Sequence, residues 1–332
     1  MSKVFILKSR PDGFASESNF DLIETPVGEM EDGQVLVRGK FYSVDPYMRG
    51  RMSDAKSYIA PFELNAPITG GVVAVVVDSK SPDFVKGDYV VGMMKWQDIQ
   101  IVWAKDIQKI DVQIAPPSYY LGLFGLTGLT AYLGLNKIGK PKAAETVVVS
   151  GAGGAVGMVV GQIAKIKGCN VIGIAGHKDK INYLKNQLDF DNVIDYHDLD
   201  KLDNELMKSA PLGVDIYFDN VGGAVSDHVM KYINHNARII ICGQIALYND
   251  PAKAYGPYPQ IALLKNSALM KGFIVGDYQD SFHDAQIQLI QWYKEGALKG
   301  HETIIIGFDK LPKTFISLFQ GDNIGKLIVE AP

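Results

Sequence analysis

Gly151, Gly153, Gly154 and Gly157 fall in one seven-residue run, Gly151-Ala-Gly-Gly-Ala-Val-Gly157, directly after the β-rich segment Glu145-Thr-Val-Val-Val-Ser150 and before a helix-periodic stretch that ends near Gly168. Glycines at such a turn allow a sharp reversal, let an anion approach the backbone, and let the helix lie close to its sheet. The amides and positive dipole end of that helix then face phosphate. The chemistry predicted is the holding of a dinucleotide. Glycines in a turn can also do nothing but turn, and it is the strand–loop–helix context that favours the cofactor.

In an NAD site a carboxylate about 20 residues beyond the glycines accepts from the ribose 2′-hydroxyl and repels a 2′-phosphate. No carboxylate stands there. The next strand instead runs into Ala175-Gly-His-Lys-Asp-Lys180, which leaves room for a phosphate and offers cations to it, so NADPH is the predicted cofactor. The plainer reading of Lys178 and Lys180 is a solvated helix start, with Asp179 cancelling part of their charge. Asp219-Asn-Val-Gly-Gly223 and Cys242-Gly-Gln-Ile-Ala-Leu-Tyr248 also follow strands and are expected at the same sheet edge. Either could be a turn alone, although Asn220 carries both a donor and an acceptor suited to a ribose or amide.

The elements that must position these residues change character along the chain. Up to about residue 120, short β runs separated by turns (Gln34–Arg38, Gly70–Val77, Tyr89–Met93, Gln100–Trp103) predict a compact β domain. From residue 121 helices and strands alternate, starting with a helix over 121–136, and predict a doubly wound parallel sheet over 121–299. Its later strands are Asn170–Ala175, Asn192–Asp195, Val214–Phe218, Ala237–Cys242 and Leu269–Val275, and a helix follows over 281–295. Two strands, Thr303–Ile306 and Lys326–Val329, flank a helix over Pro312–Gln320, and this tail (300–332) is expected to rejoin the first domain. A cleft between the domains is the expected ligand site.

At 332 residues, 47% hydrophobic and 21% charged, the chain can form two ordinary soluble cores, and its net charge of -4 gives no general attraction to nucleic acid or anionic membrane. The start, Val4–Leu7, is too short for a signal-peptide core, and the longest uncharged stretch, 121–136, is too short and too glycine-rich to span a membrane. Two distant cysteines, Cys169 and Cys242, build neither a disulfide framework nor a multi-cysteine zinc lobe, which points to the cytoplasm. None of the six histidines (His177, His197, His228, His235, His283, His301) stands at ligand spacing from another His or Cys, so no metal is predicted.

Together, Ser43-Val-Asp-Pro-Tyr-Met-Arg-Gly-Arg-Met52, Gly125-Leu-Thr-Gly-Leu-Thr-Ala-Tyr132, the Gly154–Gly157 loop, Asp219–Gly223 and Gly321-Asp-Asn-Ile-Gly-Lys326 resemble the zinc-independent medium-chain dehydrogenase/reductase superfamily nearly end to end. Within it they resemble the prostaglandin reductase, alkenal double-bond reductase and bacterial curcumin reductase group, and Met48–Asp54 is most similar to the last. The resemblance implies a GroES-like catalytic domain, a Rossmann domain and a homodimer. It also implies NADPH-dependent reduction of a carbon–carbon double bond conjugated to a carbonyl. Carried onto matching positions, pyrophosphate binding falls on Gly154, Ala155, Val156 and Gly157, and 2′-phosphate contact on Lys180 and Tyr196 with Lys178 in support. Asn220, Cys242, Gly243, Phe273, Ile274, Val275 and Asn323 match cofactor-lining positions, several of them through backbone atoms. Two departures stand out: Gly151 and Gly153 replace alanine and a small polar residue, and His177-Lys178 replaces a more neutral or acidic pair.

Such a reduction needs hydride at the β-carbon and a donor for the charge that gathers on the carbonyl oxygen. A phenol suits, being neutral at pH 7 yet able to hydrogen-bond an oxyanion. Tyr248 is the first candidate, since it follows the fifth strand and matches a tyrosine that activates substrate in the group. Tyr47, after the Asp45-Pro46 turn, is the second and Tyr255 the third, although with 16 tyrosines in the chain each could instead be packing. The rival activities are a metal-free quinone reductase and an allylic alcohol dehydrogenase, and the rival of another class is a non-catalytic NADPH-binding or sensing protein.

Overall fold

Val147, Val148 and Val149 are all fully buried, as a strand covered on both faces requires. They belong to Thr146–Ser150, one of six strands that pair in parallel among the residues described by the computed structural model, 1–250 and 255–332. In space the strands run Asn192–Asp195, Asn170–Ala175, Thr146–Ser150, Val214–Asp219, Ile233–Ile241 and Leu269–Gly272. This is the 3-2-1-4-5-6 order of a dinucleotide-binding sheet, which reverses between Thr146–Ser150 and Val214–Asp219. All six point the same way, so the segments that begin at Gly151, Gly176, Tyr196, Asn220, Cys242 and Phe273 emerge at one edge.

This sheet forms the core of one compact unit, Gly122–His301 with Ile324–Lys326. Its helix Ala155–Ile166 buries Met158, Val159, Val160, Ile163 and Ala164, and an added Cβ at Gly161 would lie 1.9 Å from the Phe190 ring, so a side chain there would push the helix off its seat. Three sequence expectations shift. The helix over 121–136 is α-helical only over Leu126–Leu133, after the Gly125 N-cap, and then loosens into a wider π turn at Gly134–Gly139. The strand expected over Ala237–Cys242 covers Ile233–Ile241, and the one expected to reach Val275 stops at Gly272. Both stop where their parallel partner stops, because a ladder ends when its neighbour's carbonyls run out: Ile241 pairs with Asp219 and with Gly272.

The other unit comprises Met1–Leu121, Glu302–Asn323 and Leu327–Pro332. Among the described residues its main sheet joins Glu302–Ile306, Lys326–Glu330, Gln34–Ser43, Thr69–Ser79, Tyr89–Lys95 and Ile107–Lys109, with Ile99–Trp103 on the second side of Gln34–Ser43. Its core gathers Tyr42, Met48, Met52, Trp96 and Phe315, with the Trp96 and Phe315 rings edge-on at 6.4 Å. Gly39 is required by Tyr42, whose hydroxyl would lie 1.8 Å from an added Cβ and donates to the Gln97 carbonyl at 2.7 Å.

Candidate cofactor and active site

At the end of Thr146–Ser150, Gly151 takes φ +59, a conformation that L side chains rarely adopt, and its carbonyl accepts from the Gly154 amide at 3.0 Å. The Ala152 amide donates to the Ile174 carbonyl at 3.0 Å, so the loop is tied to the next strand. Gly154 N-caps Ala155–Ile166 without any side-chain cap. Ala155 and Val156, which follow it, bring no charged or capping side chain to the amide end of this helix, where phosphate is favoured. At Gly157 a Cβ would lie 2.4 Å from the Gly151 oxygen and 2.7 Å from the Ala152 Cα. The loop therefore leaves no room for a side chain at Gly157, which keeps it tight against its own helix.

Gly325 braces the loop from a distant segment, its amide donating to the Gly153 carbonyl at 2.9 Å. It takes φ +69, and a Cβ there would lie 2.1 Å from the His301 oxygen. This residue was not nominated from the sequence; only the Gly321–Lys326 motif marked its neighbourhood.

At the adenosine side, a Cβ at Gly153 would meet the Lys180 stem, 2.8 Å from Cδ and 3.2 Å from Cγ. Lys180 therefore lies across the loop, whereas Lys178 is exposed. A Cβ at Gly176 would lie 3.0 Å from the Tyr196 ring, and that ring stacks on His197 at 4.6 Å. These contacts bring Gly153, Lys180, Gly176 and Tyr196 to the ends of the first three strands in chain order. Lys180→Ala is expected to weaken NADPH binding by about tenfold and leave NADH binding unchanged, the loss of one charge-assisted bond. Fluorescence titration with both cofactors checks it.

Asp219 ties the remaining strand ends together. Its carboxylate is fully buried, and Oδ1 accepts from the hydroxyls of Ser150 and Tyr217 at 2.8 and 2.9 Å and from the amides of Val221 and Gly222 at 3.0 and 2.9 Å. Oδ2 accepts from the Gln244 side chain at 3.3 Å, and the backbone carbonyl accepts from Cys242 and Gly243 at 2.8 and 3.2 Å. Asn220 is fixed by its neighbours: its backbone amide donates to Ser150 Oγ at 2.9 Å, and its side-chain Nδ2 donates to the Ser150 carbonyl at 2.8 Å. Asp219→Asn, which keeps the shape but removes the charge that strengthens these bonds, is expected to cost about 1–3 kcal/mol. Urea unfolding measures that loss.

Tyr248 caps the short 3-10 turn Ile245–Leu247. Its phenol oxygen accepts from the Gln244 amide at 3.3 Å and lies 3.3 Å from where a Cβ of Gly243 would stand. A phenol that accepts from the main chain keeps its own proton for another acceptor. Burial pushes its pKa up and Cys242 adds to this, while the Gln244 bond lowers it, so the group stays protonated through the neutral range. Burial and Asp219 push the Cys242 thiol up to about 12, which leaves it a neutral wall of the site rather than a nucleophile.

Phe273 follows the last strand of the parallel sheet and turns its ring inward. Its ring would lie 2.6 Å from a Cβ at Gly134 and stands edge-on to Phe218 at 6.4 Å, so it fills space inside the unit and offers only its backbone at the strand end. Ile274 is exposed and Val275 starts the turn Val275–Ser281. Asn323 and Tyr47 belong to the other unit. There Tyr47 opens the helix Tyr47–Arg51 behind Pro46 and packs against the core, held down by its neighbour Met48, whose Cε would lie 2.3 Å from a Cβ at Gly70. Burial, then Asp45, pushes the Tyr47 phenol well above its ordinary range, while Arg51 acts the other way. Tyr255 is 90% exposed, and the rest of its loop, 251–254, lies outside the described residues. Among the described residues no three His, Cys, Asp or Glu side chains are grouped to hold a metal ion.

Residues 3–110 match the family model described as the N-terminal domain of oxidoreductase, and residues 155–292 match the one described as zinc-binding dehydrogenase. The second match covers the helix after the glycine loop and the strands that follow it in the parallel sheet. The NADPH-dependent curcumin reductase of Escherichia coli is 42% identical over 98% of this chain and 95% of its own length. The 2-alkenal reductase (NADP(+)-dependent) of Nicotiana tabacum is 38% identical over 99% of this chain and 97% of its own. A crystal structure of CurA from Vibrio vulnificus in complex with NADPH superposes with a TM-score of 0.93 at 39% identity, covering 99% of each chain.

Proposed function

From the premise that the chain belongs to the medium-chain dehydrogenase/reductase family, we propose that it reduces the carbon–carbon double bond of α,β-unsaturated ketones or aldehydes with NADPH and without a metal. The observation that carries the reading is the Gly153–Lys180 contact beside an uncapped helix, which sets a cation against a phosphate-shaped loop where an NAD site would need a carboxylate. In this reading the unit that contains Met1–Leu121 is the GroES-like catalytic domain and the unit that contains Gly122–His301 is the Rossmann NADP-binding domain.

The amides of Gly154, Ala155, Val156 and Gly157 hold the pyrophosphate, and Lys180 and Tyr196 hold the 2′-phosphate. Asn220, Gly243 and Cys242 line the nicotinamide half, together with the backbone of Phe273, Ile274 and Val275; Asn323 is assigned to the cofactor as well. NADPH, when bound, supplies the hydride that adds to the β-carbon. As the substrate's π electrons move onto its carbonyl oxygen, the Tyr248 hydroxyl donates a hydrogen bond to that enolate oxygen. The α-carbon then takes a proton from Tyr248 or from water. Tyr47 is the second phenol assigned to the substrate.

Curcumin-like diarylenones, 2-alkenals and oxo-lipids are the substrate class, and a homodimer in the cytoplasm is the assembly and place that the reading implies, with nucleic acid and membrane outside its partners. No described helix is long and apolar enough to cross a membrane. Following NADPH absorbance with an alkenal, a diarylenone and a quinone side by side, with product analysis, tests the proposal. A saturated carbonyl product supports it. Hydroquinone alone, interconversion of carbonyl and alcohol, or tight NADPH binding with no turnover on any of the three overturns it.

A further inference from the structure

His197 stands beside the assigned 2′-phosphate residues without having been nominated for anything. Its Cε1 would lie 2.5 Å from a Cβ at Gly176, so its imidazole edge lies against the backbone where the second strand in chain order ends. One face stacks on Tyr196 at 4.6 Å, and the His177 ring stands edge-on to it at 5.5 Å. Its Nδ1 is 2.6 Å from Asp195 Oδ1, an oxygen that also accepts from the His197 amide at 3.0 Å. One carboxylate oxygen thus ties both the ring and the backbone of His197, and the His197 amide bond is the first of the causes that keep Asp195 below the ordinary range, with both histidines contributing.

This geometry decides what the free ring nitrogen can do. Asp195 accepts a hydrogen bond from Nδ1–H, so in the neutral ring Nε2 carries no proton and can only accept. A phosphate oxygen is also an acceptor and is repelled by a bare nitrogen. Once the ring takes a second proton, Nε2 becomes a charged donor while Asp195 keeps the ring in place. The charged and titratable groups around it are Asp195, Tyr196 and Asp198 on its own segment, His177 on the adjoining turn, and Lys178, Asp179 and Lys180 on the helix Lys178–Gln187, which packs against the strand Asn192–Asp195. Imidazole is the side chain whose charge changes near neutral pH, and in this group of residues His177 and His197 carry one.

We propose that His197, oriented by Asp195, is a proton-dependent contact for the 2′-phosphate of NADPH and so a determinant of the choice between NADPH and NADH. The proposal rests on the NADPH reading above. It makes cofactor preference a function of pH, because NADH has no group for the protonated ring to meet.

Dissociation constants for NADPH and NADH, measured by calorimetry on the wild-type chain and on His197→Gln and His177→Ser, test it. The pH range runs from about 6.5 to about 8.5, the span in which imidazole chemistry changes charge, and it lies above the phosphate's own second ionisation at about 6. NADPH binding to the wild type is expected to weaken about tenfold from the acid to the alkaline end, on the scale of one charge-assisted bond. NADH binding should stay level. His197→Gln should remove the slope and bind at the alkaline wild-type strength throughout, with His177→Ser keeping the slope. A wild type that prefers NADPH at every pH with no slope, or a slope retained in His197→Gln, overturns the role of His197 alone. A slope lost only in His177→Ser transfers the contact to that residue and overturns this assignment. Equal affinity for both cofactors at every pH overturns the NADPH reading together with the proposal. His197 is half-exposed, so its replacement by glutamine removes no core packing.

Discussion

Tyr248→Phe is expected to lower kcat for an enone by roughly 10²–10³-fold, the range seen when one donor to a developing oxyanion is removed. NADPH affinity should be unchanged, because the ring stays and only the hydroxyl goes. The lost hydroxyl accepts a single amide, that of Gln244 at 3.3 Å, a long bond whose absence costs little in folding. Stopped-flow single turnover with saturating NADPH isolates the chemical step. Turnover equal to the wild type with intact cofactor binding would remove Tyr248 from the chemistry and leave Tyr47 as the assigned phenol. The pH profile carries a second sign. The active form is the protonated phenol, and burial raises its pKa, so any loss of rate through its ionisation should begin at a higher pH than for a free phenol.

The second large effect is at Gly157, where a valine should reduce NADPH affinity by at least about 100-fold. Its Cβ would lie 2.4 Å from the Gly151 oxygen and 2.7 Å from the Ala152 Cα, and both are backbone atoms that no rotamer change can move aside. Either the helix Ala155–Ile166 retreats or the loop opens, and both turn the amides away from the pyrophosphate. Two charge-assisted bonds at about 1.5–3 kcal/mol each account for that loss. The overlap also strains the fold itself, by about 1–3 kcal/mol. Gly50→Ala is the matched control, since a Cβ there meets nothing within 4 Å. Titration calorimetry reads the affinities, and thermal melting of the apo chain separates them from stability. Gly157→Val binding NADPH as the wild type does would mean that the loop is not the pyrophosphate site.

The parallel sheet was legible because its signals are local. Asn170–Ala175 and Asn192–Asp195 have the bounds that composition and turns suggested, since β-branched runs flanked by glycine and polar residues leave little choice. The loop at 151–157 was legible for the same reason, as glycine spacing reports backbone demands within a few residues. Where a neighbour sets the limit, the reading slipped: Phe273 and Val275 fell outside the strand because its partner stops at Ile241. The loosened turn at Gly134–Gly139 likewise has no signature in helical periodicity.

For the chemistry, residue types alone pointed to a 2′-phosphorylated cofactor, to phenols as donors and to the lack of metal ligands, because charge, proton affinity and ligand type belong to each side chain wherever it lies. Folding decided who meets whom. Gly325 reaches Gly153 across 172 positions of chain, with an amide-to-carbonyl distance of 2.9 Å, the Lys180 stem settles on Gly153, and buried Asp219 ties five donors from three segments. Those pairings depend on strand order and register, which arise from burial and hydrogen bonding summed over the whole sheet, and no window of sequence contains that sum.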